Sequence, residues 1–309
     1  MNNSQSPVGI LRTDKMPDDF SCISIFPGFT AICSNLPIAY CQLPIVYFCQ
    51  MQCPPLKITF LGTGTSSGIP MIGCHCAVCT SADKKDTRLR SSILVESKNT
   101  TIVVDTTPDF RYQMLRANVM KLDAVLFTHP HKDHIAGLDD VRAFNYYQDK
   151  PMDLYANSLT EEAIKREFAY AFSDKKYPGI PNLNIITING NAFMIGDIPV
   201  MPVMVWHLKM PVLGFRFGKF TYITDANKID DEEKEKIKGS ETMVLNALRK
   251  ESHISHFTLD EAVSMVQELG VPTGYFTHIS HQLGRHEVIN NDLPQGIQLA
   301  FDGQEIHFN

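Results

Sequence analysis

The chain has 309 residues, 44% of them hydrophobic, and a formal net charge of −6. Such a chain buries a large core, so one big α/β domain is expected rather than two small ones, and the basic surplus of a nucleic-acid binder is absent. All eight cysteines lie at or before Cys79, which argues against a secreted disulfide framework and for a reducing compartment, the cytoplasm, with one local thiol cluster.

Residues 1–54 differ from the rest. From Ser21 to Leu56 there is no charged residue, while Pro27, Pro37, Pro44, Pro54 and Pro55 interrupt any helix. The prolines, with Asn35 and Gln42, also spoil the run of about 20 apolar residues that a membrane span needs, and no clear signal peptide is present. We expect an N-terminal extension that is poorly ordered or not part of the functional domain, with Met51 an alternative start of translation and membrane association the minority reading. The functional domain is expected over residues 55–309.

That domain opens with the strand Leu56–Leu61 and a loop, Gly62-Thr63-Gly64-Thr65-Ser66-Ser67-Gly68. The loop lacks the Lys-Ser/Thr ending of a nucleotide-binding P-loop and is weak evidence of anion binding. In Cys74-His75-Cys76-Ala77-Val78-Cys79, three thiols can wrap one face of a tetrahedral zinc, the fourth ligand coming from elsewhere; His75 faces solvent. Ser91–Glu96 and Thr101–Asp105 read as a hairpin around Lys98-Asn99. Asp105, ending a buried strand, is expected to orient a ligand histidine rather than bind metal itself. Asp109 and Arg111 are expected to cap the next helix.

The richest stretch is His129-Pro130-His131-Lys132-Asp133-His134, between the apolar run Leu122–Thr128 and a helix starting near Ile135. His129 and His131, two apart on extended backbone, project to one side and can bind one ion; Asp133 and His134 can reach a second. Arg142 on the following helix is a candidate phosphate contact, an ion pair with a neighbouring carboxylate being the competing role. Ser158 and Glu161 are spaced as a capping box for a helix ending at Phe172. His207 ends the strand Val200–Trp206 and Asp225 follows the strand Gly218–Thr224, two metal-capable side chains at strand termini. Thr258 and Glu261 form a second capping box, with His256 just before it, and Gly270 stops that helix. The strand Thr273–Thr277 ends in His278-Ile279-Ser280-His281, whose two histidines can serve two different ions.

The H-x-H-x-D-H run, with a later His, an Asp and a last His each after a strand, resembles the metallo-β-lactamase-fold hydrolases over residues 56–309. The resemblance implies a four-layer αββα sandwich with a two-metal site at its edge. His129, His131 and His207 would hold the first metal, Asp133, His134 and His278 the second, and Asp225 would bridge them. Gly62-Thr63-Gly64, the Cys74–Cys79 run and Thr277-His278-Ile279-Ser280-His281-Gln282 are more specifically similar to the phosphoribosyl cyclic phosphodiesterases, the PhnP-like subfamily. There Cys74, Cys76, Cys79 and His281 would form a separate structural zinc site, and His256 would be the active-site histidine. The chain departs from that pattern at Asn246, where such proteins often carry Asp.

The expected function is hydrolysis of a small phosphodiester, most plainly a cyclic ribose phosphate, by a metal-bridging hydroxide, with His256 and Asp133 the catalytic residues. Manganese or zinc suits the catalytic pair and zinc the thiolate set. Expected partners are the small-molecule substrate and at most a second copy of the chain, with neither nucleic acid nor stable membrane insertion favoured. A tRNA 3′-processing endonuclease should carry a basic arm, which is absent. A cofactor-biosynthesis hydrolase of the pyrroloquinoline-quinone type often has an incomplete metal set, whereas this one is complete. That completeness also argues against a non-catalytic metal-binding scaffold.

Overall fold

In a computed structural model of the chain, the described residues are Phe48, 52–173 and 177–309; of the expected N-terminal extension, residues 1–47 and 49–51 lie outside them. The first strands are β1 (Leu56–Gly62), β2 (Ser92–Glu96), β3 (Thr101–Val104), β4 (Ala124–Leu126), β5 (Met152–Ala156) and β6 (Leu183–Thr187). A second group follows: β7 (Phe193–Ile195), β8 (Ile198–His207), β9 (Met210–Phe217), β10 (Phe220–Tyr222), β11 (Lys228–Ile229), β12 (Thr242–Asn246), β13 (Thr273–Thr277) and β14 (Ile297–Leu299). The last strand, β15 (Glu305–Phe308), returns to pair antiparallel with β1.

Among the described residues these strands make two mixed sheets, β15-β1-β2-β3-β4-β5-β6 and β11-β8-β9-β10-β12-β13-β14 with β7 beside β8. Ile58, Phe60, Val95 and Val104 of the first sheet share an apolar core with Phe215, Phe217, Tyr222 and Val244 of the second. The outer face of the first sheet is covered by helices α1 (Phe110–Arg116), α2 (Lys132–Ile135), α3 (Arg142–Gln148) and α4 (Ser158–Glu167), through Phe110, Ile135, Phe144 and Ile164. The second is covered by α5 (Asp231–Ile237), α6 (Leu259–Glu268) and α7 (His286–Asp292), through Ile237, Ala262, Val266 and Ile289. This is the expected αββα sandwich: each sheet presents apolar side chains on both faces, so each must be covered twice. No helix among the described residues is long and apolar enough to cross a membrane.

In each sheet a run of parallel strands, β3-β4-β5-β6 and β10-β12-β13-β14, sends its carboxyl ends to one edge. Two antiparallel steps, β8 to β9 and β9 to β10, give β8 the same direction as β10. Asp105, His129, His207, Asp225 and His278 all lie at such strand ends, where open sheets expose unpaired backbone and ligands gather.

Three local expectations change. The cap of α4 is Asn157, whose side chain accepts from Thr160 N at 2.9 Å, so Ser158 lies inside the helix and Glu161 pairs instead with Lys165 and Thr187. Asp109 precedes α1 without a side-chain cap bond; it is drawn away by the Arg90 backbone N–H and guanidinium. The glycine-rich loop serves packing: a Cβ on Gly62 would meet the Arg90 carbonyl oxygen at 1.9 Å. The Thr258–Glu261 capping box forms with both reciprocal bonds.

Candidate metal centre

His129 and His131 leave the end of β4 on extended backbone and bring His129 Nε2 to 3.1 Å from His131 Nδ1. The His207 ring lies 5.8 Å from that of His129 and 5.2 Å from that of His131, centroid to centroid. The first turn of α2 then turns Asp133 and His134 inward. His134 Nε2 is 3.2 Å from Asp133 Oδ2 and 3.3 Å from Asp225 Oδ2, and His278 Nδ1 is 3.1 Å from the same Asp225 oxygen. Ligand atoms of Asp133, His134, Asp225 and His278 lie within 4.8 Å of one another, a spacing that can hold a metal ion. All seven residues named from the sequence thus converge where the two sheets meet, with Asp225 between the two groups.

The donor chemistry fits cations. His134 Nε2 and His278 Nδ1 are buried with no hydrogen-bond partner, both beside Asp225 Oδ2. Polar atoms so placed are costly unless a positive charge is shared among them. The opposite ring nitrogens are already held by the protein. His129 Nδ1 lies 2.9 Å from Thr128 Oγ1, and His134 Nδ1 2.7 Å from Asp105 Oδ2. His207 Nδ1 is 2.9 Å from the Ser255 carbonyl, and His278 Nε2 3.2 Å from Thr65 Oγ1. Such outer bonds are what metal-ligating histidines need to fix ring and tautomer. Asp105 also accepts from the Thr128 backbone N–H and hydroxyl at 2.8 Å each.

The electrostatics differ between the rings. Burial pushes His129 well below the usual imidazole range, lowers His207 and takes His278 down to about 4, leaving their lone pairs available. Burial opposes charge on His134 as well, but the carboxylates of Asp133, Asp225 and Asp105 together hold it well above that range. Asp133 and Asp225 are depressed despite burial, Asp133 chiefly by His134 and Asp225 by His278 and His134, so both are carboxylates.

Backbone geometry sharpens the placement. Asp105, Asp225 and His278 take φ of 66°, 54° and 55°, the left-handed region that L side chains seldom adopt. A kink there at a strand's end costs about 1–3 kcal/mol and turns the side chain out of the pleat toward the site. Asn246 holds the residue after Asp225 on both sides, donating to the Ala226 carbonyl at 2.9 Å and accepting its N–H at 2.7 Å. An aspartate there could only accept, which gives the departure at 246 a physical basis.

His256 approaches the same group. Its Nε2 is 3.1 Å from Asp225 Oδ1, its ring stacks on His278 at 5.0 Å, and with His207 and Asp225 it forms a further set able to hold metal. Arg142 is elsewhere: its guanidinium sits 2.9 Å from Asp139 and lines a 710 Å³ surface cavity with Asn145, Tyr146 and Lys150. Among the described residues none of the seven ligand candidates lines that cavity, so the competing ion-pair role is the one seen.

The thiol set is separate. His281 Nδ1 lies 3.4 Å from the sulfurs of Cys74 and Cys76, and the four ligand atoms, Cys79 included, fall within 4.8 Å of one another. A tetrahedral zinc with Zn–S of about 2.3 Å and Zn–N of about 2.0 Å has S···N edges of about 3.5 Å. The Cys79 backbone N–H, then His281, lowers the Cys76 thiol to about 6, while burial raises Cys79.

Sequence reading missed Thr65, Thr128, Ser255 and His253. The first three hold histidines of the cluster as described, and His253 Nδ1 lies 3.1 Å from His256 Nδ1. Thr128 and Ser255 each adjoin a named histidine, a signal available in the sequence; Thr65 is 213 positions from His278 and gave none.

Comparison with known proteins places the chain. The family profile described as "Beta-lactamase superfamily domain" matches residues 100–279. The crystal structure of a new diphosphatase from the PhnP family is 41% identical, with a TM-score of 0.78 over 83% of this chain and 98% of that one. Zinc-bound PqqB from Methylobacterium extorquens shares the fold at 18% identity, with a TM-score of 0.66 over 81% of this chain and 99% of that one. An octanoyltransferase of Porphyromonas gingivalis is 36% identical over 253 residues, 81% of this chain but only 51% of that protein, so the chain spans about half the length of this curated relative. The chain belongs to the beta-lactamase superfamily, as a PhnP-like member with the metallo-β-lactamase fold.

Proposed function

We propose that this chain, through residues 55–309, is a dinuclear metal-dependent hydrolase of small phosphodiesters. One observation carries the reading: seven His and Asp side chains from both sheets gather at one edge, with His134 and His278 beside Asp225, and four of the five histidines have their outer nitrogen held by an oxygen. His129, His131 and His207 would hold one divalent ion, Asp133, His134 and His278 the other, with Asp225 between; manganese or zinc suits these donors. Cys74, Cys76, Cys79 and His281 would hold a structural zinc. Bound there, the catalytic ions supply Lewis-acid polarisation of the phosphoryl group and a lowered pKa for water.

The chain's own residues do the rest. Thr65, Thr128, Asp105 and the Ser255 carbonyl fix the ligand rings, so no reorganisation is needed when charge develops on phosphorus. As water oxygen bonds to phosphorus and the P–O bond to the leaving group breaks, His256, facing Asp225 through Nε2, gives its proton to the departing oxygen. A second reading is favoured by the 41% identity to a diphosphatase: the departing group is a phosphate and the bond cleaved is P–O–P.

The test is a panel of cyclic ribose phosphates, linear phosphodiesters, substituted diphosphates and tRNA precursors, assayed on the full chain with metal content measured. Turnover of phosphodiesters with two catalytic-site metals per chain supports the proposal. Turnover of diphosphates alone selects the second reading, and no turnover by metal-replete protein overturns both.

A further inference from the structure

The backbone around Asp225 is already fixed. Its φ of 54° bends the chain just past β10, and Asn246 clamps Ala226 on both sides immediately after it. What is left free is rotation of the carboxylate, whose last torsion is broad and roughly two-fold, with no steep preference of its own. Oδ1 faces His256 Nε2 at 3.1 Å, while Oδ2 faces His278 Nδ1 at 3.1 Å and His134 Nε2 at 3.3 Å. The contacts to His134 and His278 cannot be what fixes the carboxylate plane in the working protein, since a cation would claim the same lone pairs. The Thr224 hydroxyl is different. It is fully buried, lies 2.7 Å from Asp225 Oδ2, and donates to that acceptor-only group with or without an ion nearby.

We propose that Thr224 is a positioning residue for the shared aspartate: its hydrogen bond to Oδ2 stops the carboxylate turning, so that Oδ1 stays on the His256 side and Oδ2 on the side of His134 and His278 while two ions load. This role rests on the dinuclear reading above and adds to it how the shared donor serves two ions at once. The first ion to bind can draw the carboxylate to whatever angle suits it. The second must accept the angle left over, so a loose Asp225 penalises the second ion. The stretch that carries the hydroxyl is bolted to β12 at both ends. The Ile223 N–H donates to the Val244 carbonyl at 2.9 Å on one side of the Thr224–Asp225 pair, and Asn246 holds Ala226 on the other. Threonine is branched at Cβ and stiff at χ1, so it gives up little freedom in presenting the hydroxyl at a fixed angle. The bond brings neither a ligand nor a charge to the centre; it acts on orientation alone.

The test reads metal uptake rather than turnover. The full chain, its catalytic ions removed by dialysis, is titrated with Co²⁺, and cobalt at the thiolate set is told apart by its sulfur-to-metal charge-transfer band. The wild type should take up two ions at the His/Asp centre. Thr224→Val keeps the shape and removes the hydroxyl; it should bind the first ion as the wild type does and the second roughly 10- to 100-fold more weakly. Thr224→Ser keeps the hydroxyl and should return the second ion to within about threefold of the wild-type affinity. Should the valine variant not fold, Thr224→Ala removes the same hydroxyl and carries the same expectation. Two ions bound by Thr224→Val with wild-type affinity overturn the inference and leave the hydrolase reading standing. Equal weakening of both ions, or a serine variant no better than the valine one, marks general damage to the centre and overturns it as well. A wild type that takes up fewer than two ions at the centre sinks the dinuclear reading itself, and the role of Thr224 with it.

Discussion

The two candidate metal sites are built in opposite ways. The His/Asp centre draws its seven donors from the ends of β4, β8, β10 and β13 and the start of α2, and Asp225 and four of the five histidines make outer contacts to side chains or backbone. The Cys/His set takes three donors from one six-residue stretch and a fourth from His281, all half-buried. The difference follows from what each must do. A centre that meets substrate keeps open positions and needs its geometry imposed from outside, whereas a closed thiolate set is shaped by the ion it binds. The sites are also adjacent along the chain: His281 follows His278 by three positions, and Ile279 between them pairs with Gly64 of the β1 loop.

Breaking the comparison at its centre should have the largest effect. Asp225→Ala removes the donor common to both groups and should cost more than the 10- to 100-fold typical of residues that merely orient a ligand, with bound metal falling in elemental analysis. Full metal content and activity in this variant would refute the shared role. Cys76→Ser tests whether the sites are coupled: it should release the thiolate-bound zinc, lower thermal stability and reduce occupancy at the ion His278 would serve. An unchanged metal count and rate would mean that the two sites are independent. Thr65→Ala sharpens the contrast, since it frees His278 Nε2 without removing a donor; a loss of roughly 10-fold in activity with the thiolate zinc retained is expected.

The smallest effect lies outside both sites. Burial, with Arg88 and Lys85 adding to it, lowers His286 to about 4, so in the native state it stays neutral beside the Arg88 guanidinium, 3.0 Å away. In the unfolded chain an imidazole titrates near about 6.5. As pH falls below that value the unfolded state takes up the proton first, so this contribution is complete above about 6.5 and is lost progressively as pH falls through about 4. Melting temperatures measured from pH 7 to 4 should decline less steeply in His286→Gln than in the wild type.

What could be read from the sequence has a chemical logic. The ligand candidates could be named because His, Asp and Cys are scarce in apolar strands, so their appearance at strand ends carries information before any fold is known. The sandwich was legible by resemblance, and the Thr258–Glu261 cap by spacing alone. What escaped were contacts that no periodicity reports: a threonine hydroxyl 213 positions from the ring it holds, and the Ala226 clamp made by Asn246. The cap of α4 was misplaced by one residue because Asn157 and Ser158 are both good caps, and only the tertiary setting selects Asn157.

The left-handed strand ends at Asp105, Asp225 and His278 set the terms on which this lineage can change. Asn, Asp, His and Gly are the residues that tolerate that backbone well, so the amino acids able to do the chemistry and those able to keep the bend largely coincide. A descendant that abandons catalysis while keeping its architecture has Asn or Gly as its cheap exits at 225 and 278, whereas a valine or isoleucine at either position would damage the scaffold along with the activity.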